Sequence, residues 1–285
     1  MSNQTYNRVE KISNHGLEQG IVPRFILQFI GIKYLVFMDK KECEYKFRAY
    51  QNVIINDLIP LYDLLEEIKE LNTTYIQSAF KGENGSVQDY GVINFDRSLE
   101  RKIIEKLKLF FINGKILINN WSKCAFFEDN DFDIKKLLFV SDINFNKNKT
   151  SQLANNKKFE YLFFIVENAR KKFLSEFVTI RNNIEHNDFS ISNYQLTVIS
   201  DVFIVEEPLL GNRKLLDSLN FYFENICEFI ELIMIYYFGI NSYLNYFGQM
   251  KTYERKEYDY TIQKYRFTIT PQKLNKNEYD LIIGK

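Results

Sequence analysis

The stretch Lys158–Asp188 reads KFEYLFFIVENARKKFLSEFVTIRNNIEHND. Apolar residues return along it at gaps of mostly three and four: Phe159, Leu162, Phe163, Val166, Ala169, Phe173, Phe177, Ile180 and Ile184. That spacing draws one apolar face along a helix of about seven turns. So long a face needs other helices to cover it. The fold class that follows is mainly α, a helical bundle. The polar cluster Glu185–Asp188 marks the end of this helix.

Similar stripes lie on either side. Leu99, Ile103, Leu107, Phe110, Gly114, Leu117 and Trp121 predict a helix from about Ser98 to Cys124. Gly114 stands in its seam, where another backbone can approach closely. Leu215, Leu219, Tyr222, Ile226, Phe229, Ile230, Ile233 and Tyr237 predict another helix, running toward Tyr246, with Gly239 as a break point. Upstream, Tyr50, Ile54, Leu58, Leu61, Leu65, Ile68 and Leu71 keep the same spacing. Pro60 should kink or restart that helix, with Asn56 or Asp57 as N-cap. Pro23 suits the first turn of a further helix over the apolar run to Met38.

The connections read differently. Residues 81–91 (KGENGSVQDYG) form a loop. Residues 125–157 read as a long connection with one short element at Leu137–Ile143. Alternation at Leu196, Val198 and at Phe203, Val205 predicts a small β or irregular insert at about 190–214, with a turn at Gly211-Asn212. Tyr265, Phe267 and Ile269 before Pro271 predict one late strand in a C-terminal tail. The expected organisation is an N-terminal extension (1–40), a helical bundle (41–250) and a tail (251–285).

Composition agrees. In 285 residues there are only 11 Gly and 4 Pro, too few turn-formers for a many-stranded sandwich or barrel. Lys+Arg and Asp+Glu balance at 37 each, so any basic surface must be local. Cys43, Cys124 and Cys227 are scattered in apolar stretches and read as buried packing thiols. No CxxC or CxxxH spacing points to zinc, and no metal site is expected. No secretory h-region is seen near Met1, and the apolar run Phe229–Ile240 contains Glu231 and is too short to span a bilayer. A cytoplasmic protein without a membrane partner is the expectation. P-loop, GxGxxG and nucleotidyltransferase GS…DxD signatures are absent.

One constellation carries candidate chemistry. Arg181, Asn182, Asn183, Glu185 and His186 crowd the end of the long helix. The other histidine, His15, lies in the N-terminal arm. An imidazole titrates near ~6.5, so His186 is the natural group for acid/base work near neutral pH. Asn182 and His186 are i,i+4 and share a face, and Arg181 and Glu185 can pair in the same way. Arg181 and His186 stand roughly 140° apart on a straight helix. To meet one small ligand, the helix must end before His186 or a second chain must complete the site. The plain structural reading is a helix C-terminus, with an Arg181–Glu185 surface pair and His186 on the helix dipole.

Arg181-Asn182-Asn183-Ile184-Glu185-His186 resembles the R-(N/D/H)-x3–5-H signature of the HEPN superfamily. The helical setting, with the motif at the end of a long helix and another long helix downstream, is similar too. The resemblance implies a metal-independent endoribonuclease that uses no cofactor. It also implies a homodimer through the motif-bearing helix, and a role as a toxin, abortive-infection or anti-phage effector with a possible antitoxin or defence-system partner. It assigns Arg181 to phosphate binding, Asn182 to orientation and His186 to proton transfer. An HEPN-like module that binds protein, nucleotide or RNA without catalysis is the alternative. The insert, the first forty residues and the tail fall outside the resemblance.

RNA contact has a local basis. Lys147, Lys149, Lys157, Lys158, Arg170, Lys171, Lys172 and Arg181 face only three glutamates over 145–181. Lys157, Lys158, Arg170, Lys171 and Lys172 are the candidate RNA-binding residues. Tyr253, Tyr258, Tyr260 and Tyr265, interleaved with basic residues, could stack bases, although packing of the tail is favoured over this.

Overall fold

The computed structural model describes residues 21, 23–27, 29, 40–81, 97–124, 132–155, 159–199, 202–241, 250–254, 267–271, 273–274 and 278–279. Its α-helices are α1 (Lys40–Val53), α2 (Ile59–Lys81), α3 (Arg97–Ser122), α4 (Asp142–Asn155), α5 (Glu160–Ala169), α6 (Ser175–Glu185) and α7 (Leu215–Asn241). π-helical turns occupy Pro23–Leu27, Ile54–Leu58 and Arg170–Leu174, and a 3-10 turn occupies Ile134–Lys136. The strands are β1 (Gln195–Ile199), β2 (Val202–Glu206), β3 (Leu209–Leu210), β4 (Arg213–Lys214), β5 (Met250–Glu254), β6 (Phe267–Pro271), β7 (Lys273–Leu274) and β8 (Glu278–Tyr279). They pair in antiparallel twos, β1 with β2, β3 with β4, β5 with β6 and β7 with β8. The chain is mainly α with small two-stranded sheets, as its periodicity predicts.

Contacts divide the chain into two compact units, Asn56–Ile240 and a second that combines Met1–Ile55 with Asn241–Lys285. These bounds differ from the 40 and 250 read from the sequence. Within the second unit, Tyr50 of α1 meets Phe29 edge-on at 5.4 Å and Phe47 at 5.9 Å. That aromatic contact ties α1 to the N-terminal segment. β6 contains the late strand expected before Pro271, and its partner is β5, with Thr252 opposite Ile269.

In the Asn56–Ile240 unit the stripe of Lys158–Asp188 becomes α5, the π turn and α6 in direct succession. α3 packs against both α2 and α6. Phe111 of α3 lies 5.0 Å from Phe177 of α6 and 5.4 Å from Tyr222 of α7, and Trp121 meets Phe229 at 5.5 Å. These rings are buried at the centre of the unit. Gly114 does what its seam position predicts. A Cβ built there would lie 2.6 Å from Phe177 Cζ, so only glycine lets α3 and α6 approach this closely.

Two local expectations change, and a third holds. The region read as a connection contains α4, a full helix of Asn-rich sequence with little apolar periodicity. Tertiary bonds hold it: Gln152 accepts from the Asp133 amide (2.9 Å), Asn148 donates to the Lys136 carbonyl (2.6 Å) and Lys149 pairs with Glu167 (2.8 Å). Pro60 stands in the first turn of α2, directly after the π turn Ile54–Leu58, so the helix restarts there as its place in the stripe predicts. The π turn runs through Asn56 and Asp57, and the Asp57 carboxylate accepts from Asn120 Nδ2 of α3 (3.0 Å).

The insert is a pair of hairpins, with Leu196 opposite Val205 and Val198 opposite Phe203 in the first. Gly211 takes φ +65 in the turn of the second, where a side chain would also meet Glu176 Oε1 at 2.8 Å. Asn72 Nδ2 donates to Glu207 (3.0 Å), and the Glu207 carboxylate accepts from the Leu216 amide (3.3 Å), which caps the start of α7. Arg213 lies 3.9 Å over the Phe221 ring and pairs with Glu176 of α6.

Candidate functional site

α6 ends in a Schellman motif. The Asp188 amide donates to the Asn183 carbonyl (2.9 Å) and the Asn187 amide to the Ile184 carbonyl (3.3 Å). Asn187 supplies the left-handed residue this requires, at φ 59. The helix therefore closes at Glu185, and His186 is its C-cap with φ −86 and ψ 5. The His186 amide still donates to the Asn182 carbonyl (3.0 Å), so its Cα stays on the helical path, about 140° round from Arg181, and a second chain is needed to bring both groups to one ligand. His186 is exposed, and among the described residues its ring has no hydrogen-bond or ion-pair partner.

Arg181 is the more constrained partner. Its side chain is only 18% exposed. Nη1 donates to Asn182 Oδ1 (3.3 Å) and to the Glu185 carboxylate, while the buried Nε has no hydrogen-bond partner. Burial pulls the guanidinium below its ordinary range. The Asn182 amide is thus turned toward Arg181. Arg181 and His186 are brought to the same helix end but do not hydrogen-bond to each other.

The residues proposed for RNA contact separate. Arg170 opens the π turn with its side chain only 10% exposed. Its Nη1 donates to the Leu137 (3.2 Å) and Leu138 (3.0 Å) carbonyls, and its Nη2 to the Val140 carbonyl and to Asp142, both at 2.8 Å. The guanidinium also lies 4.9 Å over the Phe145 ring. All four Nη donor directions are used inside the protein, so Arg170 is a structural clamp and does not belong to an RNA-facing patch. Lys171 pairs with Glu167 (2.8 Å) and Lys172 with Glu228 (3.1 Å), both from exposed positions. Lys157 and Lys158 lie outside the described residues, as do His15, Tyr258, Tyr260 and Tyr265.

The residue that periodicity alone did not single out is Lys115. It follows Gly114 on α3, and its Nζ lies 5.6 Å from the centroid of the Phe139 ring. Burial, and then the charge of Arg181, lower its pKa. One residue past the seam glycine it stands about 100° round α3, where it meets the segment before α4, and no spacing in the sequence pointed there. Beside it a pocket of ≈ 240 Å³ is lined by Phe139, Val140, Leu174, Ser175 and Val178, with Arg170 in its wall.

A separate groove of ≈ 500 Å³ runs between α5 and α7, with Tyr161, Phe164 and Leu232 among its lining residues. Among the described residues no group of three or more His, Cys, Asp or Glu is placed to hold a metal ion, and no helix is long and apolar enough to cross a membrane. Cys43, Cys124 and Cys227 are buried thiols, and burial pushes the Cys124 thiol up to about 12. Comparison with protein-family models, curated proteins and solved structures found no match.

Proposed function

We propose that the protein is a metal-independent endoribonuclease of the HEPN type, active as a homodimer through the motif-bearing helix. The supporting observation is the end of α6. A mostly buried arginine with an unpartnered Nε lies five residues before an exposed histidine that is the C-cap of a Schellman turn. Arg181 would hold the phosphate and the charge growing on its oxygens. Asn182 would keep the guanidinium in place through its amide oxygen. In the reaction the ribose 2′-oxygen bonds to phosphorus and the P–O5′ bond breaks. The 2′ proton passes to an imidazole, and the departing 5′ oxygen takes up a proton. The products are a 2′,3′-cyclic phosphate and a 5′-hydroxyl. A two-fold axis at the end of α6 would set one His186 on each side of the scissile bond, one as base and one as acid. A cytoplasmic toxin or phage-defence effector, with an antitoxin or defence-system partner, is the biological setting that goes with this reading.

One observation favours a competing reading. Glu185 already occupies Arg181, as in a plain helix C-terminus or a non-catalytic binding module. Cleavage of RNA in excess EDTA separates the two. R181A and H186A should each remove it, the histidine by about 10²–10⁴ in rate, with circular dichroism and melting unchanged. The products should carry cyclic phosphate and 5′-hydroxyl ends. Cleavage that survives both substitutions defeats the proposal.

A further inference from the structure

The seam between α3 and α6 brings together more than packing residues. Gly114 lets the two helices touch at Phe177, and the next residue on α3 is Lys115. Arg181 comes one helical turn after Phe177 on α6. The charge of Arg181 acts on Lys115, so two cations from different helices stand near each other. Lys115 has no carboxylate partner among the described residues, and it lies over Phe139. Phe139 and Val178 both line the ≈ 240 Å³ pocket. Val178 and Arg181 are i,i+3 and share a face of α6, so the pocket lies alongside both cations. Inside it the Arg170 guanidinium is already committed to three carbonyls and Asp142, which leaves an apolar, partly aromatic interior. The volume is smaller than that of a drug-sized site and suits a single planar ring system.

We propose that Lys115, Arg181 and Phe139 form a nucleotide subsite, in which Lys115 and Arg181 share one phosphate of a single-stranded RNA and the adjoining base enters the pocket against Phe139. Two donors on separate rigid helices would fix the position of that phosphate more tightly than Arg181 alone, and an aromatic wall accepts any base face. The Arg181 Nε is buried without a partner in the resting structure, so a guanidinium that turns outward to meet the phosphate gives up no bond from that atom. Glu185 must give way when the phosphate arrives. The identification of the polymer as RNA rests on the ribonuclease reading; the phosphate-and-ring subsite does not.

The probe is a single-stranded 2′-O-methyl RNA hexamer, which cannot be cut, titrated by fluorescence anisotropy between about 50 and 200 mM salt. K115Q should weaken binding about tenfold and lower the slope of log affinity against log salt by about 0.7, the loss of one phosphate contact. K115R should restore both. F139A should weaken the hexamer about tenfold yet leave an abasic strand of the same length unaffected. Inorganic phosphate should raise the melting temperature of the wild type, and K115Q and R181A should each abolish that rise. Wild-type affinity and salt slope in K115Q overturn the subsite, even if R181A and H186A prove RNA cleavage. Hexamer and phosphate binding that depend on Lys115, with no cleavage by the wild type, keep the subsite and sink the nuclease. A wild type that binds neither probe overturns the subsite outright.

Discussion

Gly114 of α3 faces Phe177 of α6 so closely that a Cβ on the glycine would stand 2.6 Å from the ring's Cζ. The ring has little room to retreat. Phe111 holds it at 5.0 Å on one side and Tyr222 at 5.6 Å on another. The same contact brings α3 to the α6 end that bears Arg181, so packing and the candidate chemistry share one hinge point.

Gly114→Ala should therefore destabilise the protein although alanine is the better helix former. The propensity gain is about 1 kcal/mol, and forcing apart a packed seam costs typically 1–3 kcal/mol. A net loss of about 1 kcal/mol in urea unfolding is expected, with weaker binding of single-stranded RNA. An unchanged or raised midpoint would mean that α3 and α6 are not pressed together at this point.

Arg170→Gln should cost more. It strips donors from the Leu137, Leu138 and Val140 carbonyls and leaves Asp142 unpaired. Losing several charge-assisted bonds at a mostly buried site predicts about 2–4 kcal/mol. Because these bonds tie the 137–142 segment to the π turn, amide exchange should accelerate in α4 and around Phe139 ahead of α3. A stability loss under about 0.5 kcal/mol, the level of an ordinary surface arginine, would refute the clamp.

Glu185→Gln tests what blocks the arginine. The pair is i,i+4 with the glutamate 44% exposed, so its contribution to stability is at most about 0.5 kcal/mol. Its effect on binding should be larger, because the carboxylate occupies the Nη1 that a phosphate needs. Affinity for the non-cleavable hexamer should rise several-fold while the melting temperature barely moves. A drop in affinity would show that Glu185 orients Arg181 for its ligand and does not compete for it.

Glu167 sets an acid limit on stability. Lys149 and then Lys171 donate to its carboxylate, both at 2.8 Å, and hold its pKa at about 2 against an ordinary 4.5. A carboxyl depressed in the folded chain adds stability above its unfolded pKa, and that share is lost as pH falls from about 4.5 through about 2. The side chain is 30% exposed, so screening should limit the contribution to about 1 kcal/mol. E167Q should be less stable than the wild type by that amount at neutral pH, and the gap should close across the acid window. A gap that persists unchanged to pH 2 would assign it to packing instead of charge.

How legible was all this beforehand? Long amphipathic stripes declare themselves, because a helix buries every third or fourth residue whatever its neighbours are. α3, the α5–α6 succession and α7 all carry such stripes. α4 does not, because its Gln152, Asn148 and Lys149 hold it to Asp133, Lys136 and Glu167, which lie outside the helix. The arginine-to-histidine spacing could be read directly, and so could a helix end at Asn187 and Asp188. The fate of Arg170 could not. Its neighbours Lys171 and Lys172 look the same in sequence, yet the π turn buries one of the three and leaves the others in solvent.

Local pattern alone thus settled the helical class, the close seam at Gly114 and the residues of the Arg181–His186 motif, since each depends on spacing within a single helix. Only the tertiary structure decided which cations keep free donors and which neighbour Arg181 acquires. Those outcomes depend on how separate helices meet, and meeting points such as Lys115 with Phe139 join residues whose separation along the chain carries no periodic signal.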